Sequence, residues 1–161
     1  MRLRIAAFIL LMGIYPLGAD AGELSLLLNG KAIHFNTPPG VNFNESNWGG
    51  GLQYDWDQPG RKWVPFFSAA GFLDSTNQSA YYAGGGYLRR WRIGKAWHAD
   101  AGWIGFVMTL PDYRGSQPFP GILPVFSLGT HRFSLNATYI PSVDPNKVDV
   151  VFLQLKIGLS Q

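Results

Sequence analysis

Residues 48 to 56 read Trp48-Gly49-Gly50-Gly51-Leu52-Gln53-Tyr54-Asp55-Trp56. Trp48, Gly50, Leu52, Tyr54 and Trp56 share one parity, while Asn47, Gly49, Gly51, Gln53 and Asp55 share the other. A period of two marks an extended strand, whose successive side chains leave on opposite faces. One face here is greasy and bounded by aromatics, and the other is polar or bare. The pattern recurs at 131 to 140, where His131, Phe133, Leu135, Ala137 and Tyr139 alternate with Arg132, Ser134, Asn136 and Thr138.

Outward from that stretch, further strands are separated by turn chemistry. Asp57-Gln58-Pro59-Gly60 is a compact turn that returns the chain through Trp63 to Leu73. Asp74 to Ser79 is a polar loop, and Tyr81 to Trp91 comes back through Ala83-Gly84-Gly85-Gly86. Arg92 to Lys95 turns into Trp97 to Leu110, and Pro111 to Pro118 is a longer loop. Gly121 to Gly129, Arg132 to Ile140 and Lys147 to Gly158 complete the series, and Leu24 to Phe35 precedes it. Pro38 and Pro39 end that first strand because proline cannot donate to a ladder. Eight strands result, with long connections (36 to 46, 74 to 79, 111 to 118, 141 to 146) alternating with tight ones (57 to 61, 92 to 95, 129 to 131).

Composition decides what surrounds these strands. At 161 residues the chain fits one domain, with 14% charged and 15% aromatic residues and 20 glycines. A soluble barrel of the lipocalin kind would carry far more charge on its outer face. Short turns alternating with longer loops, aromatic girdles and apolar-out alternation instead describe a membrane barrel. The expected fold is all-β: an eight-stranded antiparallel transmembrane β-barrel of the bacterial outer membrane over residues 22 to 161, without a clear N-terminal amphipathic helix. Arg2 and Arg4, the apolar run Ile5 to Leu17 and Ala19-Asp20-Ala21 read as a cleaved signal peptide over residues 1 to 21. A net charge of +3, unclustered, gives no reason to expect nucleic acid. With no cysteine and three scattered histidines, no metal or cofactor is expected.

The strand count has a consequence for chemistry. It brings His34, Asp74 and Ser75, far apart in sequence, to the long-loop rim, and leaves His131 and Ser134 at the opposite one. Read alone, Asp74-Ser75-Thr76-Asn77 is also ordinary turn chemistry.

Taken in order, Asn44-Glu45 with Trp48-Gly49-Gly50-Gly51, Phe72-x-Asp74-Ser75 before a glycine-rich strand, Pro120-Gly121-Ile122-Leu123-Pro124 and Thr138-Tyr139-Ile140-Pro141 resemble the lipid A palmitoyltransferases (PagP) of Gram-negative outer membranes. The resemblance runs from His34 to the C-terminus. It implies transfer of a palmitoyl chain from a phospholipid donor to lipid A by a membrane-embedded monomer, with His34, Asp74 and Ser75 as catalytic residues. It further implies an acyl chain held inside the barrel, with Gly86 setting its depth. Lateral lipid access is implied near Pro120, Pro124 and Pro141.

Acyl transfer requires a polarised carbonyl, an activated hydroxyl and a proton path. Histidine is the natural base, Asp74 is placed to orient it, and Ser75 either assists the oxyanion or forms an acyl-enzyme. Two alternatives stand beside this reading. One is a lipid A deacylase, suggested by His131-x-x-Ser134-x-Asn136, and the other is a small structural barrel without enzymatic activity.

Overall fold

The computed structural model describes residues 22 to 111, 113 to 142 and 148 to 159. The expected signal peptide lies outside them. Eight strands follow one another: β1 (Glu23–Phe35), β2 (Ser46–Asp55), β3 (Trp63–Leu73), β4 (Ser79–Ile93), β5 (Trp97–Thr109), β6 (Phe119–Thr130), β7 (Phe133–Ile140) and β8 (Asp149–Gly158). Each pairs antiparallel with the next, and β8 returns to β1, so the sheet closes into a barrel. Closure removes the edge strands, whose unpaired N–H and C=O groups are what hydrocarbon cannot accommodate. Among the described residues no helix is long and apolar enough to cross a membrane, so any crossing is by strands.

The alternation is inverted relative to a soluble protein. Trp48, Leu52, Phe67, Trp103, Phe126 and Leu135 point outward and are exposed, while Gln53, Asp55, Ser68, Asp100, Ser127 and Asn136 are buried inside. Fourteen polar or charged residues are buried against ten hydrophobic ones among the described residues, so polarity, not oil, fills most of the lumen. Outer aromatics lie at both rims, Trp48 and Tyr81 near the long loops and Trp56, Trp63, Trp91 and Trp97 near the short turns, where the Arg89 guanidinium lies 6.0 Å from the Trp63 ring and 5.4 Å from Trp91. Indoles favour such positions at a membrane interface. The short β4–β5 turn at that rim requires positive φ at Gly94 (64°), which glycine adopts without a Cβ clash.

Inside, an ion network fills the short-turn end. Arg90 donates to Asp100 through Nε (3.0 Å) and Nη2 (2.8 Å) and also meets Asp57, while Lys156 Nζ donates to Asp55 at 2.6 Å. Each buried charge therefore has a partner, the condition for tolerating it at all. An apolar cluster of Phe66, Leu88, Ile104 and Val125, with Tyr82, Phe106 and Leu123 packed on it, occupies the β3–β6 side. Asn29, Gln53, Asn136 and Gln154 line the β7–β8–β1–β2 side. The lumen thus has one greasy wall and one polar wall.

The wall is not uniformly closed. β6 and β7 are in register from Val125↔Thr138 to Gly129↔Ser134, whereas residues 119 to 124 of β6 register only with β5. Pro120 and Pro124 fall in the unshared part of β6 and Pro141 directly follows β7. β6 starts at Phe119, two residues earlier than its turn signals suggest, because Phe119 and Pro120 pair with Met108 and Val107 of β5. β1 carries a second irregularity, a register shift between Asn29 and Lys31.

The inverted alternation predicts a specific response. Phe67→Arg, on the outer face at mid-strand, is expected to destabilise the barrel by roughly 2–4 kcal/mol in lipid vesicles, read from chemical unfolding. A soluble barrel would tolerate it within about 0.5 kcal/mol.

Candidate active site

His34 lies one residue from the end of β1, on the same side of the strand as buried Ala32, so its ring stands over the long-loop mouth of the lumen. Ser75 follows β3 by two residues. Their side chains meet: His34 Nε2 is 2.9 Å from Ser75 Oγ, a hydrogen bond joining groups 41 residues apart in sequence. Both residues are half-buried. His34 Nδ1 is shielded and has no hydrogen-bond partner among the described residues, so the unit is a pair and not a relay.

Asp74 makes its own set of contacts beside the pair. Its Oδ1 accepts from Thr76 N–H (2.8 Å), Thr76 Oγ1 (2.8 Å) and Gln78 N–H (2.9 Å), and its main chain bonds Gln78 and Asn77. This is an Asx-type turn, in which the carboxylate substitutes for a backbone acceptor. The left-handed Asn77 (φ 64°) completes it. Asp74 shapes the loop that presents Ser75, with its Oδ1 bonded within that loop.

Two residues to which the sequence reading gave no role, Phe43 and Asn44, hold the pair in place. The Phe43 ring stacks on His34, with centroids 4.6 Å apart and planes at 13°. Next to it, Asn44 N–H donates to the Ser75 carbonyl (3.0 Å), and its Nδ2 reaches Asn77 Oδ1 (2.8 Å) and the Asp74 carbonyl (3.4 Å). Asn47 Nδ2 adds a bond to the Leu73 carbonyl at 2.7 Å. One short piece of the first loop therefore grips both members: a ring on the histidine and an amide on the serine. The Asn44-Glu45 motif was the available signal, but loop-to-loop pairing has no periodicity to reveal it. Glu45 itself pairs with Lys31 at 3.2 Å on the outer side.

The remaining expectations sort by place. Gly86 faces the lumen, where a Cβ would come within 1.8 Å of the Trp103 carbonyl oxygen, so main-chain proximity excludes any side chain there. Pro120, Pro124 and Pro141 flank the stretch where β6 and β7 part. His131 and Ser134 lie at the short-turn rim and are not joined: His131 Nδ1 pairs with Glu23 (3.1 Å) and Ser134 Oγ donates to the Thr130 carbonyl (2.9 Å). Asn136 Nδ2 bonds Gln53 at 3.3 Å. That triplet offers no nucleophile–base contact of the kind a deacylase needs. Among the described residues no cluster of histidine, cysteine and carboxylate groups is suited to a metal ion.

Comparison with known proteins bears on the same rim. The lipid A acyltransferase PagP of Bordetella pertussis strain Tohama I is 40% identical over 127 residues, 76% of this chain and 69% of that protein. The protein of the same name from Legionella longbeachae is 35% identical over 131 residues, 78% of this chain and 56% of that protein. Among solved structures, the crystal structure of Ail of Yersinia pestis covers 85% of this chain and 95% of its own at a TM-score of 0.48 and 14% identity, a likeness from which nothing about function follows. Residues 33 to 156 match the family model described as "Antimicrobial peptide resistance and lipid A acylation protein PagP", a span that includes His34, Phe43, Asn44, Asp74 and Ser75. The chain belongs to the PagP family of lipid A acylation proteins.

Proposed function

We propose that this lipid A acyltransferase takes a palmitoyl chain from a phospholipid and places it on a lipid A hydroxyl, working as a monomer in the outer membrane of a Gram-negative bacterium after removal of its leader. The long-loop rim then faces the cell exterior, as short turns face the periplasm in barrels of this kind. The single observation that carries the reading is the His34–Ser75 hydrogen bond over an apolar-walled lumen, in a chain of this family.

The chemistry follows from the pair. In the tautomer with the proton on Nδ1, His34 Nε2 accepts from Ser75 at rest. An arriving lipid A hydroxyl takes that place and gives its proton to Nε2 as its oxygen attacks the ester carbonyl. The serine hydroxyl, free to rotate, then donates to the developing oxyanion. Collapse breaks the bond to the glycerol oxygen, which takes the proton from His34 and leaves as a lysophospholipid. Phe43 and Asn44 hold the two groups within reach, which is where proximity gains arise. Asp74 contributes by holding the Ser75 loop in its turn.

The acyl chain is proposed to descend along the β3–β6 wall toward the level of Gly86. Donor lipid enters sideways where β6 and β7 part, beside Pro120, Pro124 and Pro141, since a wall lacking ladder bonds opens at low cost.

Two outcomes test this in purified protein supplied with phospholipid vesicles and lipid A. His34→Ala and Ser75→Ala are each expected to lower transfer by about 100-fold or more while leaving the barrel folded. An acyl group trapped on Ser75 by mass spectrometry would contradict direct transfer. Asp74→Asn, which keeps an oxygen for the loop bonds, is expected to stay within about tenfold of wild type, with Asp74→Ala at least another tenfold lower. Equal loss in both variants would instead assign Asp74 an electrostatic role on His34.

A further inference from the structure

Near the short-turn end of β4 the chain reads Arg89-Arg90-Trp91-Arg92, three guanidinium groups in four positions. Parity divides them. Arg90 and Arg92 turn to the lumen side, where Arg90 meets Asp100 and Arg92 Nη2 lies 2.8 Å from Asp57 Oδ1. Arg89 leaves on the other face, between the exposed Tyr87 and Trp91. Among the described residues it is the one charged side chain at the outward positions of β3, β4 and β5. Two indoles hold it: Trp91, two residues on, at 5.4 Å, and Trp63, its partner in the β3–β4 register, at 6.0 Å. Its register partner on β5 is Ala101, and that of Trp91 is Ala99, so the flank toward β5 carries only methyl groups. No carboxylate among the described residues pairs with Arg89, whereas Arg90 and Arg92 on the same strand both have one.

A cation without a protein partner on a lipid-facing wall is tolerated at the level of the headgroups and costly below it. We infer that Arg89, clamped by Trp63 and Trp91, is a headgroup site for an anionic phospholipid in the leaflet at the short-turn rim. A planar guanidinium presents paired N–H donors that match two oxygens of a phosphodiester. Holding it against two rings limits its rotamers before the lipid arrives, so less entropy is lost on binding. The indoles, apolar in body with one N–H each, suit the glycerol and carbonyl region just beneath the phosphate. The surroundings set the sign of the headgroup. Arg61 and Lys62, both exposed, precede Trp63 and add positive charge at this rim, and the outward positions of β3, β4 and β5 offer no carboxylate to an ammonium group. A headgroup of net negative charge therefore fits better than a zwitterionic one. The site lies outside the barrel and at the opposite end from His34 and Ser75, so the lipid it holds is a bound ligand and not the acyl donor.

The test is native mass spectrometry of the purified full-length protein in detergent, titrated with phosphatidylglycerol or phosphatidylcholine bearing the same ether-linked chains, which acyl transfer cannot consume. Wild type is expected to bind phosphatidylglycerol about fivefold more tightly than phosphatidylcholine, the size expected of one interfacial cation. Arg89→Gln is expected to remove that preference and leave phosphatidylcholine binding as it was, while Arg89→Lys, which keeps the charge without the planar fork, retains part of it. Water-soluble glycerol phosphate at the lipid's concentration is expected to displace nothing, and displacement by it would assign the site to free phosphate esters and overturn the inference. In vesicles, adding phosphatidylglycerol to phosphatidylcholine is expected to raise the urea midpoint of wild type more than that of Arg89→Gln, because a ligand of the folded state stabilises it. No preference in wild type, or the same preference in wild type and Arg89→Gln, overturns the inference. An intact preference in a protein that transfers no acyl chain to lipid A would instead sink the acyl-transfer reading alone.

Discussion

In hydrocarbon a backbone N–H or C=O has no water to turn to, and the structure answers that constraint by closing eight strands on one another. The rest depends on this closure. A closed antiparallel sheet has an outside and an inside set by residue parity, so greasy side chains meet lipid and polar ones share a narrow lumen. Those polar groups must then satisfy each other, which Arg90 with Asp100, Lys156 with Asp55, and Gln154 with Asn29 and Tyr82 do. Closure also returns every second connection to the same rim, and that is how residues 34 and 75 come within 2.9 Å.

The rim that carries the His34–Ser75 pair is held unevenly around the barrel. Ladder bonds fix the ends of β1 and β3, and Asn44, Asn47 and Asp74 tie the two loops that follow them. On the other flank β6 and β7 separate before their ends, so the wall there lacks ladder bonds. The rim bearing His34 and Ser75 is thus braced on the β1–β4 side and unpaired on the β6–β7 side.

Much of the fold was legible because period-two alternation and turn residues are local signals. All eight strands were readable within a few residues, and the exposure of Trp48 and Leu52 beside buried Gln53 and Asp55 follows the parity read from residues 48 to 56. The rim carrying His34 and Ser75 came from counting strands, and their hydrogen bond is a further feature that the count did not contain. What could not be read depends on contacts between loops or across the lumen. Phe43 and Asn44 act on residues in another strand and loop, Asp74 folds back on its own turn, and the Tyr82–Gln154 bond spans 72 residues. None of these has a repeat or a spacing. Charge pairing inside the barrel was equally hidden, since Asp55 looks like one more polar residue until Lys156 and Arg90 surround it.

The central claim is that a histidine–serine pair at the mouth of this barrel adds an acyl chain to lipid A. Mass analysis of lipid A from a bacterium lacking such an activity, expressing either this chain or its Ser75→Ala variant, tests it most directly. The account predicts a palmitate-sized gain in mass with the native chain and none with the variant. An unchanged lipid A, a loss of an acyl chain, or an equal gain with both proteins would contradict it.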